Sequence, residues 1–297
     1  MKTHNPSIGI GYLCWLLGVS RQAYYQSFKN EDLKSNKSEL VLLEVLEIRK
    51  KHPKIGTRKL ILMLKNFMYE HAIKMGRDAL FDLLSEHQLL IRKRKRKIST
   101  TQSHHWLKKY PNLIKDFTPN APNQLYVSDI TYWKAYDDLY ISFITDAFSR
   151  KIVGYNLAQT LEAVESVKAL EMALKNVEKG INLIHHSDRG AQYCSSKYVK
   201  LLQDKSVAIS MTQTGDPLDN AIAERINGIL KEEYLENYQV KNFQQAKELL
   251  DHAVLLYNQE RPHMSIGNLT PNDVHKNKLK TRRNWKSYYK KENIVIA

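Results

Sequence analysis

The segment between Asn123 and Glu236 contains strand-like and helix-like stretches in an order that few folds accommodate. Three runs rich in β-branched and aromatic residues predict an antiparallel meander, QLYVSDITYW, LYISFITDAFSR and KIVGYNLA. Residues 160–180 then carry apolar side chains at three- and four-residue steps, which predicts a helix that ends at Gly180. Strands and helices alternate after it in the stretches INLIHHSD, SKYVKLLQ, VAISMTQ and AIAERINGILKEEYLE. The order β-β-β-α-β-α-β-α is typical of an α/β fold with a mixed sheet covered by helices.

Three carboxylates have related positions in this pattern. Asp129 lies near the end of the first predicted strand, Asp188 ends the strand after the long helix, and Glu224 lies in the first turns of the last helix. If the two strands are neighbours in the sheet, Asp129 and Asp188 come together at one end. Converging carboxylates raise one another's pKa unless a cation joins them. All-oxygen ligation is typical of Mg²⁺ or Mn²⁺, and a pair of such ions supports in-line phosphodiester chemistry.

Other polar residues near these carboxylates have simpler interpretations. His185 and His186 are adjacent, so in a strand they point to opposite faces and do not bind one metal ion together. Adjacency also excludes a nucleophile pair of Ser187 and His186. One histidine is expected to pack beside the site, either in contact with substrate or as a satisfied core histidine. Asp146 fits a hairpin turn and Asp219 fits a helix N-cap.

Charge divides the chain into three regions. The sequence has 46 Lys and Arg against 31 Asp and Glu, a formal net charge of +15, which indicates a polyanionic partner such as nucleic acid. Residues 1–122 hold 23 basic and 10 acidic side chains, residues 123–275 hold 15 and 20, and residues 276–297 hold 8 and 1. Because the middle region is acidic, we expect the basic flanks to hold the nucleic acid.

The first 55 residues are interpreted as a helix-turn-helix-like DNA-binding module. An apolar helical pattern is formed by Ile10, Leu13, Leu16 and Leu17. The turn GVS follows it, and Ser20 can cap a second helix. The second helix would offer Arg21 and Gln22 to base edges or phosphates. The alternative is a helical hairpin without a role in DNA reading, because GVS is a common string.

Residues 56–97 form a second predicted helical module that ends in a basic run. The six cations of this run repel one another unless phosphates neutralise them, and they are Arg92, Lys93, Arg94, Lys95, Arg96 and Lys97. The alternative is a solvated linker. Residues 98–122 are rich in Ser, Thr, Pro and Asn and are predicted to be a linker, residues 123–275 the α/β core, and residues 276–297 a basic tail.

No apolar run has the length of a membrane-spanning helix, and the N-terminal apolar stretch is too short for a signal peptide, so we expect a cytoplasmic protein without a membrane partner. Cys14 and Cys194 are the only cysteines and lie in different segments. Neither a disulfide framework nor a zinc site is predicted, and both cysteines are treated as small apolar residues.

Three blocks of the sequence resemble one known family. VSDITYW, HHSDRGAQY and DPLDNAIAERINGILKEE are similar to the signature blocks of the OrfB transposases of bacterial insertion-sequence family three, relatives of retroviral integrase. Thirty-five residues separate Asp188 from Glu224, as in that family, and Lys231 follows the glutamate by seven positions. YNQERPHMSIGNLTP resembles the block that closes the family's core, and the N-terminal modules resemble its N-terminal region.

The resemblance implies an RNase H-like core in which Asp129, Asp188 and Glu224 hold two Mg²⁺ ions, with Mn²⁺ as a substitute. It implies metal-dependent DNA strand cleavage and strand transfer at insertion-sequence ends. The implied partners are double-stranded DNA, both terminal inverted repeats and target, further copies of the chain on that DNA, and an upstream OrfA protein or a fusion with it. A DNA-bound protein of this kind would be associated with the nucleoid. Two alternatives remain: a non-catalytic DNA-binding regulator, and an RNase H-like nuclease that cuts without joining.

The last helix of the core has a geometry that can be checked. Four residues make one apolar stripe, Ile222, Ile226, Ile229 and Leu230. At 100° per residue, Glu224 and Lys231 lie near the opposite face, within about 20° of each other, so that Lys231 can lie along DNA. Because Glu224 must reach the strand ends while its helix packs by another face, we expect the helix to cross the edge of the sheet.

Overall fold

The computed structural model describes residues 8–91, 106–115, 117–175, 177, 181–213 and 220–279, with residues 28–34 described by their backbone alone. The basic run 92–97, Gly180, Asp219 and the tail after residue 279 therefore lie outside the described residues. Two compact units are present: Met1–Lys51 with Gly56–Ile91, and His52–Ile55 with Arg92–Ala297. In the described part of the chain no helix is both long and apolar enough to cross a membrane.

The first unit consists of helices, as the sequence predicts. Their bounds are α1 Ile10–Leu16, α2 Arg21–Lys51, α3 Thr57–Met63, α4 Lys65–Glu70 and α5 Arg77–Glu86. Gly18 has a φ of 66°, a conformation that favours glycine, and the Ser20 hydroxyl accepts a hydrogen bond from the Ala23 amide at 3.0 Å. The predicted turn and cap are confirmed. Leu16 and Leu17 are exposed, however, and Cys14 is the buried residue of α1.

The second helical stretch of this unit is divided. Its first part is formed by two short helices, α3 and α4, which meet at Leu64. The core of this predicted helical module contains four fully buried leucines, Leu60, Leu64, Leu80 and Leu84.

The second unit contains a five-stranded mixed sheet. Its strands are β1 Leu125–Lys134, β2 Asp138–Asp146, β3 Ile152–Ala158, β4 Ile184–Ser187 and β5 Ala208–Met211. The strand order is β3-β2-β1-β4-β5, with β1, β2 and β3 antiparallel and with β4 parallel to both β1 and β5. The predicted meander is confirmed, and β1 and β4 are neighbours, which is the condition for Asp129 and Asp188 to come together. This sheet is the RNase H-like arrangement.

Helices cover both faces of the sheet. Their bounds are α6 Ala163–Leu174, α7 Ala191–Cys194, α8 Ser196–Asp204, α9 Ala221–Ile229, α10 Phe243–Gln259 and α11 Pro271–Asn277. One apolar cluster joins α6, α7 and α8 to side chains such as Tyr126 and Ile144. The other joins α9 and α10 to Trp133 and Phe143. Adjacent residues of β2 such as Phe143 and Ile144 therefore pack into different layers.

Candidate active site

The parallel pairing of β1 with β4 brings two of the predicted carboxylates together. Leu125 pairs with Ile184 and Val127 with His186, and continuing this register by two residues places Asp129 beside Asp188. Asp129 lies in the middle of β1 and not near its end, as the sequence had suggested. The reason is that β1 continues to Lys134 in pairing with β2, whereas β4 has already ended. Asp129 thus lies where the ladder between β1 and β4 ends.

Helix α9 lies over the face of the sheet to which Asp129 points. Val127, two residues before Asp129 and hence on the same face, packs against Ala223 of this helix. The amide nitrogen of Asn227 donates to Oδ2 of Asp129 at 2.8 Å. The prediction that the helix crosses the edge of the sheet is therefore wrong. The helix is instead joined to β1, a central strand of the sheet, through Asn227.

The three carboxylates are electrostatically coupled. Burial, together with the charges of Asp188 and Glu224, raises the pKa of Asp129 to about 8, although hydrogen bonds from the amides of Ile130 and Asn227 oppose the rise. Asp188 is oriented by the amide of Gly190, which donates to its Oδ1 at 2.9 Å. Glu224 is exposed on α9. Asp129 therefore interacts electrostatically with both of the other predicted carboxylates.

The donor atoms of this site suit a hard divalent cation. The three carboxylates supply oxygen ligands only, and Oδ1 of Asn227, whose side chain also contacts Asp129, is buried without a hydrogen-bond partner among the described residues. No three His, Cys, Asp or Glu side chains are arranged to hold a metal ion together within the described ranges. The type of donor thus fits Mg²⁺ or Mn²⁺, although the side chains stand apart.

The two histidines before Asp188 have separate environments. The hydroxyls of Ser128 and Tyr198 lie 2.7 and 2.9 Å from Nε2 of His185. Burial, with a smaller contribution from His186, lowers the pKa of His185 to about 3, so its ring is neutral. Nδ1 of His186 lies 2.9 Å from the Ser210 hydroxyl. The two rings therefore contact different partners, and His185 is a satisfied core histidine.

Asp146 has the structural role in a turn that the sequence predicts. It is fully buried, and its Oδ1 accepts hydrogen bonds from the amide and the hydroxyl of Ser149, both at 2.6 Å. Its Oδ2 accepts one from the Asn123 amide at 2.7 Å. These contacts close the turn between β2 and β3, so Asp146 serves the fold.

The thiols of Cys14 and Cys194 are buried and form no disulfide.

Lys231 lies in a π-helical turn that the sequence did not predict. Helix α9 ends at Ile229, and residues Leu230–Tyr234 form the turn, in which the Leu235 amide donates to the Leu230 carbonyl. The expected angle between Glu224 and Lys231 assumed α-helical spacing throughout and does not apply beyond Ile229.

A buried ion pair accompanies this turn. The Arg261 guanidinium, 1% exposed, donates to both carboxylate oxygens of Glu233, from Nε at 2.8 Å and from a terminal nitrogen at 2.7 Å. Both residues belong to blocks that resemble the transposase family, but no local pattern indicates that they pair. Forked arginine–carboxylate contacts fix geometry as well as charge, so the pair anchors the π-helical turn to the end of α10.

The predicted DNA-binding residues are only partly described. Arg21 and Gln22 are exposed at the start of α2, which leaves them accessible to DNA. Lys231 is half-buried. The six cations of residues 92–97 lie outside the described residues.

Known proteins resemble this chain along most of its length. Residues 119–217 and 205–271 match two family models, each described as an integrase core domain. The chain is 35% identical over 265 residues to the insertion element IS600 uncharacterized 31 kDa protein of Shigella sonnei, covering 87% of this chain and 96% of that protein. It is 28% identical to transposase InsF for insertion sequence IS3A of Escherichia coli strain K12, covering 91% and 95%. The HTLV-2 integrase catalytic core domain in complex with magnesium superposes with a TM-score of 0.43 at 20% identity, covering 52% of this chain and 97% of that one.

Proposed function

This chain belongs to the transposases of insertion-sequence family three, and on that premise we propose that Asp129, Asp188 and Glu224 form its catalytic centre. As a transposase of the integrase type it is a polynucleotidyl transferase. The proposed reaction is cleavage of one DNA strand at an insertion-sequence end, followed by transfer of the new 3′ end to another strand. The electrostatic coupling of Asp129 to both other carboxylates is the observation that supports this choice of residues.

Mg²⁺ is the proposed cofactor, held by the three carboxylates, and Mn²⁺ can replace it. When bound, a pair of such ions supplies activation of the attacking oxygen and charge stabilisation of the leaving 3′-oxygen. The protein's own contribution is to hold the carboxylates in place. Asp129 is fixed by hydrogen bonds from Ile130 and Asn227, and Asp188 by one from Gly190. The neutral His185 stays in the core and takes no proton from the substrate.

The proposed partner is double-stranded DNA, both the terminal inverted repeats and the target. The basic regions on either side of the acidic core are proposed to hold this DNA. Arg21 and Gln22 would read the repeats, while the basic run 92–97 and Lys231 would contact phosphates. Replacing Arg21 with alanine should then erode sequence preference more than overall affinity. Assembly of several copies on the DNA, with an upstream OrfA protein or a fusion to it, completes the proposal.

Glu224→Gln tests the assignment in the full chain. The variant should lose both strand cleavage and strand transfer on DNA that carries the inverted repeats, because a ligand charge is removed. DNA binding should stay within about twofold of wild type, since the basic regions are untouched. Glu232→Gln is the matched control, because Glu232 is an exposed glutamate of the adjoining π-helical turn. Full activity of Glu224→Gln in Mg²⁺ would refute the assignment, and cleavage without transfer by the wild type would favour a nuclease.

A further inference from the structure

Asn220 occupies the N-cap position of α9 but does not cap the helix. An N-cap asparagine normally accepts a hydrogen bond from an amide in the first turn of its own helix. The side chain of Asn220 makes no such bond. It reaches across to β1, where its amide nitrogen donates to the carbonyl oxygen of Ser128 at 3.0 Å. A favourable local contact is thus replaced by one that joins the helix to the strand.

Asn227 makes the corresponding contact one residue further along β1. Its amide nitrogen donates to Oδ2 of Asp129 at 2.8 Å, and the Ile130 amide donates to Oδ1 of the same carboxylate at 2.9 Å. Both oxygens of Asp129 are therefore oriented by hydrogen bonds. Asn220 and Asn227 are buried, with 7% and 4% of their surfaces exposed.

The spacing of these asparagines places Glu224 between them. Asn220, Glu224 and Asn227 stand at positions i, i+4 and i+7, which share one face of an α-helix. The two amides bind consecutive residues of β1, Ser128 and Asp129. We propose that Asn220 and Asn227 are positioning residues that fix Glu224 over Asp129. This inference rests on the proposed function, because it assigns the two amides to the assembly of the proposed metal site.

A purely structural role would be served better by apolar residues. Ala223, Ile226 and Ile229 of the same helix are already buried in apolar clusters, so α9 does not depend on amides to stay on the sheet. The Oδ1 atoms of both asparagines are buried without a hydrogen-bond partner in the part of the chain that the structure describes. Burying such oxygens opposes folding, which indicates that the amides are retained for what their nitrogens orient.

The test compares Asn227→Ala and Asn220→Ala with Asn258→Ala in the full chain. Asn258 is a matched control, because its amide also ties a helix to a strand: it donates to the Ile152 carbonyl and accepts from the Ile152 amide, both at 3.0 Å. Strand β3, which contains Ile152, lies two strands away from β1. Calorimetric titration with Mg²⁺ or Mn²⁺ alone would give the metal affinity, and thermal unfolding in EDTA would give the stability.

Asn220→Ala and Asn227→Ala should each bind Mg²⁺ at least tenfold more weakly than wild type, with a smaller loss for Mn²⁺. Mg²⁺ demands near-ideal octahedral geometry, so a displaced carboxylate affects it most. Strand transfer should fall more in Mg²⁺ than in Mn²⁺, at unchanged affinity for DNA. Asn258→Ala should lower the unfolding temperature and leave metal affinity unaltered.

The inference is overturned if Asn220→Ala and Asn227→Ala bind Mg²⁺ like wild type and lose only stability, as Asn258→Ala does. If one of the two does not fold, the other carries the test. Failure of the proposed function gives a different result: the wild type would bind no Mg²⁺, or Asp129→Asn would bind it as tightly as wild type.

Discussion

Replacing Asp129 with asparagine is expected to stabilise the metal-free protein while abolishing its chemistry. Burial and the neighbouring carboxylates raise the pKa of Asp129 from 3.8 to about 8. Between these values the folded state holds a proton that the unfolded chain has released, so the free energy of unfolding falls as the pH rises. Above about pH 8 the wild type carries the full cost of a charged Asp129. Asparagine carries none, so the advantage of the variant grows with pH across this window.

The size of the effect follows from the pKa difference. A shift from 3.8 to about 8 corresponds to about 6 kcal/mol in the free energy of unfolding at pH 9. The side chain is partly exposed and its carboxylate therefore keeps part of its hydration, so we expect about half of this value. For a core of this size, about 3 kcal/mol raises the unfolding temperature by about 6 to 12 °C. Near pH 5 the difference should be small.

Thermal unfolding in EDTA at about pH 5 and pH 9 measures this difference. Asp204→Asn is the control, because Asp204 is an exposed carboxylate at the end of α8. Adding Mg²⁺ at about pH 8 should stabilise the wild type and leave Asp129→Asn unchanged, since only the wild type retains the ligand. If the unfolding temperatures of wild type and Asp129→Asn change in parallel with pH, the electrostatic account of the site is wrong.

Three further outcomes test the packing and the charge distribution. A Cβ atom on Gly154 would lie 2.2 Å from the carbonyl oxygen of Ala169. Gly154→Ala should therefore displace α6 from β3 and lower the free energy of unfolding in urea by about 1–3 kcal/mol. An unchanged free energy of unfolding would contradict this close approach. Arg261→Met leaves the Glu233 charge without its partner and should cost about 3–5 kcal/mol, which the added change Glu233→Gln should partly restore. Serines throughout residues 92–97 should make the slope of log affinity against log salt shallower by about 0.9 for each lost phosphate contact; an unchanged slope would remove this run from the interface.

The antiparallel meander and the helices that follow it could be predicted from the sequence, because they depend on local patterns. Runs of β-branched and aromatic residues identify strands whatever their partners are, and short breaks between them leave only an antiparallel meander. The long helix before Asp188 then requires a parallel crossover onto the same sheet. This connectivity allows β4 to lie beside either β1 or β3, and the structure places it beside β1, which brings Asp129 to Asp188.

Features that depend on distant residues could not be predicted. The position of Asp129 within its ladder is set by where β4 ends, and no residue near Asp129 carries that information. The π-helical turn at Lys231 is accompanied by an ion pair between Glu233 and Arg261, which are 28 residues apart. The contacts of Asn220 and Asn227 with β1 also depend on distant residues, although the spacing of the two asparagines around Glu224 is visible in the sequence. It becomes meaningful only once β1 is known to lie under α9.

The two faces of β1 have different roles: one packs into the core and sets the register of the strand, and the other carries the proposed catalytic carboxylate. Tyr126 and Ser128 point to one face, where Ser128 lies in hydrogen-bonding distance of the buried His185. Asp129 points to the other face, towards α9. Because side chains alternate, a slip of one residue would place the Asp129 carboxylate among the buried side chains around His185 and move Ser128 to the site. Such a slip is strongly opposed by the cost of burying an unpaired charge. The buried face therefore fixes the register, and the proposed catalytic face obtains from it the position of its first carboxylate.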